Sequence, residues 1–182
     1  MQLRLDKLAT LKYFKYKSLL ASVSVLTLLV ITFLLKANFS NSRRTETWNN
    51  AKEITPPFLL KKALSFNSTG KIDSKSIKVM PVPSQGGGNL YIFDFRSPQL
   101  CGIGGCLYLV YHESGKLVFS LIAHQNLPPK EEVIRISDTI ANEFPCLVVT
   151  QPTANENIVS CTDYCYQGEG FIRFNQVFSV AK

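Results

Sequence analysis

Between Lys17 and Lys36 the chain carries no charge, and the run from Ser18 to Leu35 is apolar apart from small hydroxyl residues. At about 1.5 Å rise per helical residue, such a run falls just within the range that crosses a bilayer's hydrocarbon core. It predicts a transmembrane helix over Leu19 to Leu35, with the lipid bilayer as its partner. A cleaved signal peptide is the alternative. That reading needs an apolar core of roughly 7–15 residues and a small-residue cleavage site. Here the leading segment is long, the run exceeds that core, and Lys36-Ala37-Asn38-Phe39-Ser40 offers only Ala37, so a retained anchor is preferred. Ser22, Ser24, Thr27 and Thr32 fit such a helix, because their hydroxyls can bond back to the preceding turn.

The flanking charge sets the expected orientation. Arg4, Lys7, Lys12, Lys15 and Lys17 precede the run against Asp6 alone, and Lys36, Arg43, Arg44 and Lys52 follow it. The positive-inside bias therefore places the N-terminus in the cytoplasm and the bulk of the chain outside it. The spacing of Leu5, Leu8 and Leu11 also permits a basic amphipathic helix on anionic headgroups, against a plain topogenic tail. The division expected is a basic tail over 1–18, the anchor over 19–35, a linker over 36–55 and one extracytoplasmic domain over 56–182. The net charge of +7 could signal a polyanion. Nucleic-acid binding needs a basic face interleaved with exposed aromatics, and only Phe171-Ile172-Arg173-Phe174 suggests one, so no nucleic-acid partner is expected.

Within the linker, Trp48 has two places to go, the membrane interface or the domain. Thr55-Pro56-Pro57 predicts a helix start, with Thr55 as N-cap and Pro56 at the first helical position, burying Leu60 and Leu64 and exposing Lys61 and Lys62. Ser76 to Met80 alternates as a strand that Pro81 and Pro83 stop, followed by a Ser84 to Gly88 turn. The glycine run lacks the strand-loop-helix context and Lys-Ser/Thr ending of a phosphate loop. Three further strands are expected at Leu90 to Phe95, Leu107 to His112 and Leu117 to Ala123, the last two joined by Glu113-Ser114-Gly115-Lys116. Leu107 to Tyr111 is apolar on both faces, so it should be central and covered twice. Val133, Ile136, Ile140 and Phe144 recur at helical spacing, and a helix is favoured over a strand for residues 130–144. Cys146 to Gln151, Ile158 to Thr162 and Gly170 to Phe178 close the domain as strands. The fold class expected is α+β, an antiparallel-sheet domain with one or two helices behind a single transmembrane helix.

Five cysteines are the constellation that most invites chemistry. Cys101 and Cys106 flank Gly102-Ile103-Gly104-Gly105, Cys161 and Cys165 flank Thr162-Asp163-Tyr164, and Cys146 stands alone in a strand. Outside the cytoplasm such pairs become disulfides. A Cys146–Cys161 cross-strand bridge competes with a Cys161–Cys165 bridge, and one thiol must be left over. Zinc ribbons mostly use two to four intervening residues, and the four between Cys101 and Cys106 stand at the upper limit. A thiol-disulfide exchanger commonly uses Cys-x-x-Cys, which is absent. Neither a metal nor a cofactor is expected.

No catalytic residue is assigned. His112 and His124 bracket the predicted hairpin and would lie near each other, with Asp94, Glu113 or Ser114 as a third member of a catalytic or metal group. Solvated polar strand ends are the preferred account of the same histidines. No H-E-x-x-H, G-x-S-x-G or spaced carboxylate pair occurs.

The stretch Phe93-Asp94-Phe95-Arg96-Ser97-Pro98-Gln99-Leu100-Cys101-Gly102-Ile103-Gly104-Gly105-Cys106-Leu107-Tyr108 resembles small exported or membrane-tethered bacterial proteins. In these a Cys-Gly-x-x-Gly-Cys turn joins two aromatic strands. The resemblance implies export and a local disulfide, and carries over no activity or site residues. The function expected is a membrane-anchored extracytoplasmic interaction or structural module, with a protein partner in the cell envelope. The alternative is an envelope enzyme, thiol-redox at Cys101/Cys106 or hydrolytic at the His112/His124 end of the sheet.

Overall fold

The computed structural model describes residues 47–66 and 73–181. Its elements run β1 (Asn49–Asn50), α1 (Ala51–Ile54), α2 (Pro57–Ser65), β2 (Ile77–Pro83), β3 (Asn89–Phe95), β4 (Cys101–Gly102), β5 (Gly105–His112), β6 (Leu117–Ala123), β7 (Ile134–Ala141), β8 (Phe144–Pro152), β9 (Ile158–Gln167) and β10 (Gly170–Val180). Every strand pair is antiparallel. One sheet follows the order β1-β2-β3-β5, with the short β4 and the longer β6 also on β5, and the other follows β10-β9-β8-β7. The antiparallel α+β architecture expected from the sequence is present. Among the described residues no helix is long and apolar enough to cross a membrane. The span expected at Leu19 to Leu35 lies outside the described residues.

Period-two alternation divides β3 and β5 between two apolar layers. Ile92, Tyr108 and Val110 point to a core shared with Ile134, Phe144, Leu147, Val149 and Phe171 of the second sheet. Phe93, Phe95, Leu109 and Tyr111 point the other way, onto Ala51, Leu59 and Ala63 of the two helices. Strand β5 is thus covered on both faces, as its continuous apolar run requires. Truncating the wholly buried Leu109 to alanine should cost about 2–5 kcal/mol.

Several local expectations are corrected. At the end of the segment read as linker, Asn49–Asn50 form β1 and Ala51–Ile54 form α1, and Trp48 lies edge-on to Tyr108 with ring centroids 6.4 Å apart. The N-cap of α2 is Pro56, not Thr55. The Thr55 amide instead closes α1 by donating to the Ala51 carbonyl at 3.1 Å, and its hydroxyl is buried without a partner among the described residues. The helix consequently turns by one position, burying Leu59 and Ala63 rather than Leu60 and Leu64, while Lys61 and Lys62 are exposed. Strand β2 does not stop at Pro81. It continues through Pro83, opposite Tyr91 and Asn89, because β1 pairs only with Lys78 and Val79 and leaves the prolines' missing amides on an open edge.

The largest correction concerns residues 130–144. No helix forms there; Ile134–Ala141 is a strand paired with β8. Val133, Ile134, Ile136, Thr139 and Ile140 are β-branched and prefer extended backbone, so their helical spacing is incidental. The turn settles the matter, since Asn142 and Glu143 both take positive φ, 47° and 72°, and bring Ala141 opposite Phe144 in a tight hairpin.

Candidate functional site

The cysteines resolve into two bridges, Cys101–Cys106 and Cys146–Cys165, leaving Cys161 as the free thiol. Both pairings weighed for the second bridge are overturned by strand register. Leu147 sits opposite Tyr164, which puts Cys146 directly across from Cys165, whereas Cys161 faces Thr150. In β4 and β5, Cys101 pairs with Cys106 and Gly102 with Gly105. Gly105 has a φ of +112°, and a side chain there would meet the Ala123 carbonyl oxygen at 2.2 Å, so this bridge needs glycine at that position. Cys161 is half-buried, with its sulfur 3.8 Å from Ser179 Oγ and 4.0 Å from Thr150 Oγ1. Since Cys101, Cys106 and Cys165 are bridged, a zinc site built on the two flanking pairs has no ligand set. Among the described residues no group of three His, Cys, Asp or Glu side chains could hold a metal ion.

His112 and His124 do not meet. Ala123 lies opposite Cys106, so His124 follows the end of the hairpin away from the turn that His112 enters. The length of β6 separates them by on the order of 20 Å at the usual strand rise. The His112 ring is held at both nitrogens, Nε2 at 2.7 Å from the Gly87 carbonyl oxygen and Nδ1 at 2.8 Å from Ser114 Oγ. A carbonyl only accepts, so Nε2 carries the proton, and Nδ1 accepts from the Ser114 amide at 3.1 Å. This histidine pins the β2–β3 loop to the β5–β6 turn. Beside it lies an open groove of about 540 Å³, bordered by Lys116, Asn142, Glu143, Phe144 and Tyr166.

Asp94 occupies a different place, between the sheets and 1% exposed. Arg96 Nε donates to its Oδ2 at 2.8 Å, and Gln125 Nε2 donates to its Oδ1 and to Tyr108 Oη, each at 3.1 Å. Burial raises the Asp94 carboxyl above the ordinary carboxylate value, opposed by the hydrogen bond and charge of Arg96 and by hydrogen bonds to Tyr108 and Gln125. Burial, followed by the neighbouring Asp94 charge, pushes the Tyr108 phenol up to about 12. A carboxylate whose oxygens are both occupied and a phenol held protonated make a satisfied polar junction. The sequence singled out Asp94 without its partners, because Arg96, Tyr108 and Gln125 are assembled by strand register and a loop.

A surface feature remains at the edge of the second sheet. Strand β10 starts in the core, where Phe171 packs on Phe119 and Tyr166 with centroids 5.9 and 5.6 Å away. At Gly170 an added side chain would stand 2.7 Å from the Val118 carbonyl oxygen, so the strand enters in close contact with β6. It then runs out to solvent beyond β9, with a bulge between Arg173 and Asn175. Phe174 is 71% exposed, Phe178 67% and Val180 72%, and Ile172 and Val177 are about half exposed. The sequence marked Phe171 to Phe174 for aromatics beside a base. The signal it held was the apolar edge continuing through Val177, Phe178 and Val180.

No family model, curated protein or solved structure matches this chain. Fold and site together define a two-sheet α+β domain, bridged by disulfides on both sheets and carrying one exposed apolar edge strand.

Proposed function

We propose that this chain is a single-pass membrane-anchored module whose extracytoplasmic domain binds a protein partner in the cell envelope along β10. Residues 19–35 are the anchor and the basic tail before them is cytoplasmic. The charge distribution supports this reading. Residues 1–45 hold eight basic residues and one acidic, the whole of the +7, whereas residues 46–182 hold twelve of each sign. Positive charge beside an apolar run is what membrane topology uses, and a domain of no net charge lacks the bulk attraction that draws a polyanion. Two disulfides support an oxidising compartment for the domain.

The observation that carries binding is the set of exposed apolar side chains that β10 presents on both faces of its sheet edge. Soluble proteins manage an edge strand with charges, prolines or cover. From Phe174 to Val180 this edge has no charge and no proline. Hydrolysis by the histidine pair is disfavoured by their separation, and both nitrogens of His112 are already engaged. The test of topology is protease added to intact cells expressing the full chain, followed by a carbonate wash of the membranes. The domain should be cut from outside while the chain stays with the membrane. A domain protected until lysis, or a chain released by carbonate, contradicts the proposal.

A further inference from the structure

We infer that the partner along β10 is a second copy of this chain, joined edge to edge in antiparallel pairing so that two four-stranded sheets become one. This rests on the reading of β10 as a docking edge. Antiparallel pairing of a strand with itself is isologous, so whatever one copy presents must suit the same surface on the other. The segment Phe174 to Val180 meets that condition, being uncharged throughout. Centred on Val177, Phe174 opposes Val180 of the other copy and Gln176 opposes Phe178. Centred on Phe178, the two Phe178 rings face each other, and in neither register does Arg173 oppose itself.

Ile172, Phe174, Val177, Phe178 and Val180 are each about half exposed or more, and antiparallel pairing would set them beside the apolar side chains of the other copy on both faces of the joined sheet. A domain with equal numbers of acidic and basic residues adds no bulk repulsion between copies. The free backbone donors and acceptors of an edge strand would also be paired, the same main-chain recognition that strand addition uses.

The test uses the full chain in detergent, its protein mass measured by sedimentation with the micelle contribution removed. Wild type should be a dimer, and Phe174→Lys with Phe178→Lys should weaken dimerisation by about a hundredfold, since each lysine enters the interface twice. One reactive thiol before reduction and an unchanged circular dichroism spectrum would certify that variant as folded. If the variant does not fold, Cys161→Ser with Phe178→Cys carries the test. Oxidation should link it into a dimer, while Cys161→Ser with Phe58→Cys, placed on an exposed site of α2, should not link. A monomeric wild type, or a dimer that neither lysines nor position 178 affect, overturns the second copy as partner. A photo-reactive group at position 178 that then captures a different protein in cells leaves the docking edge standing; capture of nothing removes both.

Discussion

Cys146 and Cys165 stand directly opposite each other on β8 and β9 and are joined, with Cα atoms 4.3 Å apart, while Cys161 lies four residues back along β9, against Thr150. Peptide mapping of the unreduced protein should therefore recover Cys101 linked to Cys106 and Cys146 linked to Cys165. Thiol titration should find one reactive group before reduction and five after it. A Cys161–Cys165 peptide would contradict the register of this hairpin.

The two bridges should differ in what they contribute. Closing a loop removes more unfolded-chain entropy as the loop lengthens, so replacing Cys146 and Cys165 by alanine should cost about 3 kcal/mol. Replacing Cys101 and Cys106, only five residues apart, should cost about 2 kcal/mol on the same scale. Denaturant midpoints of residues 46–182 give the order, and a larger loss at the shorter bridge would contradict it.

Gly105 and Gly102 make a paired test of the β4–β5 turn. Gly105→Ala forces a side chain onto the Ala123 carbonyl at positive φ and should destabilise by at least ~3 kcal/mol. Gly102 has nothing within 4 Å of an added side chain, so Gly102→Ala should stay within about 0.5 kcal/mol. Thermal unfolding of the two variants distinguishes them, and equal effects would contradict the close approach of β5 to the end of β6.

Asp94 predicts a pH dependence of definite sign. Its carboxyl is raised in the fold, chiefly by burial, so the folded state holds that proton more tightly than the unfolded chain. The resulting contribution is complete below the unfolded value of 3.8 and is lost as pH rises through the higher folded value. Relative to Asp94→Asn, wild type should therefore lose stability as pH rises from about 3 toward 7. Urea midpoints of both proteins across that range measure it. A wild type that gains on the variant as pH rises would mean that Arg96, and not burial, governs the carboxyl.

What the sequence revealed follows from what kind of information each element needs. The double-faced strand β5 and the Glu113 to Lys116 turn were legible because alternation and turn chemistry are local. Strand β7 was misread because Val133, Ile136, Ile140 and Phe144 recur at helical spacing while the run Val133 to Ile136 alone suits a strand, and the Asn142-Glu143 turn distinguishes the two. The Cys146–Cys165 bridge was missed because assuming Gln151 to Asn157 as the loop shifts the register, while the observed pairing of Pro152 with Val159 sets it. The Asp94 junction depends on Gln125 arriving from a loop after β6, a contact that no spacing rule encodes. The exposed edge of β10 was hidden for another reason: an alternating apolar strand looks the same whether or not anything covers it.

The measurement that bears most directly on the docking edge places a photo-reactive amino acid at position 178 of the full chain in its native membrane, with position 58 on α2 as the comparison. Phe178 and Phe58 are similarly exposed, at 67% and 54%, so exposure alone favours neither strongly. Illumination should give one discrete protein adduct at position 178, none at position 58, and loss of that adduct when Phe174 is replaced by lysine. No adduct at position 178, or the same adducts at both positions, would contradict the account.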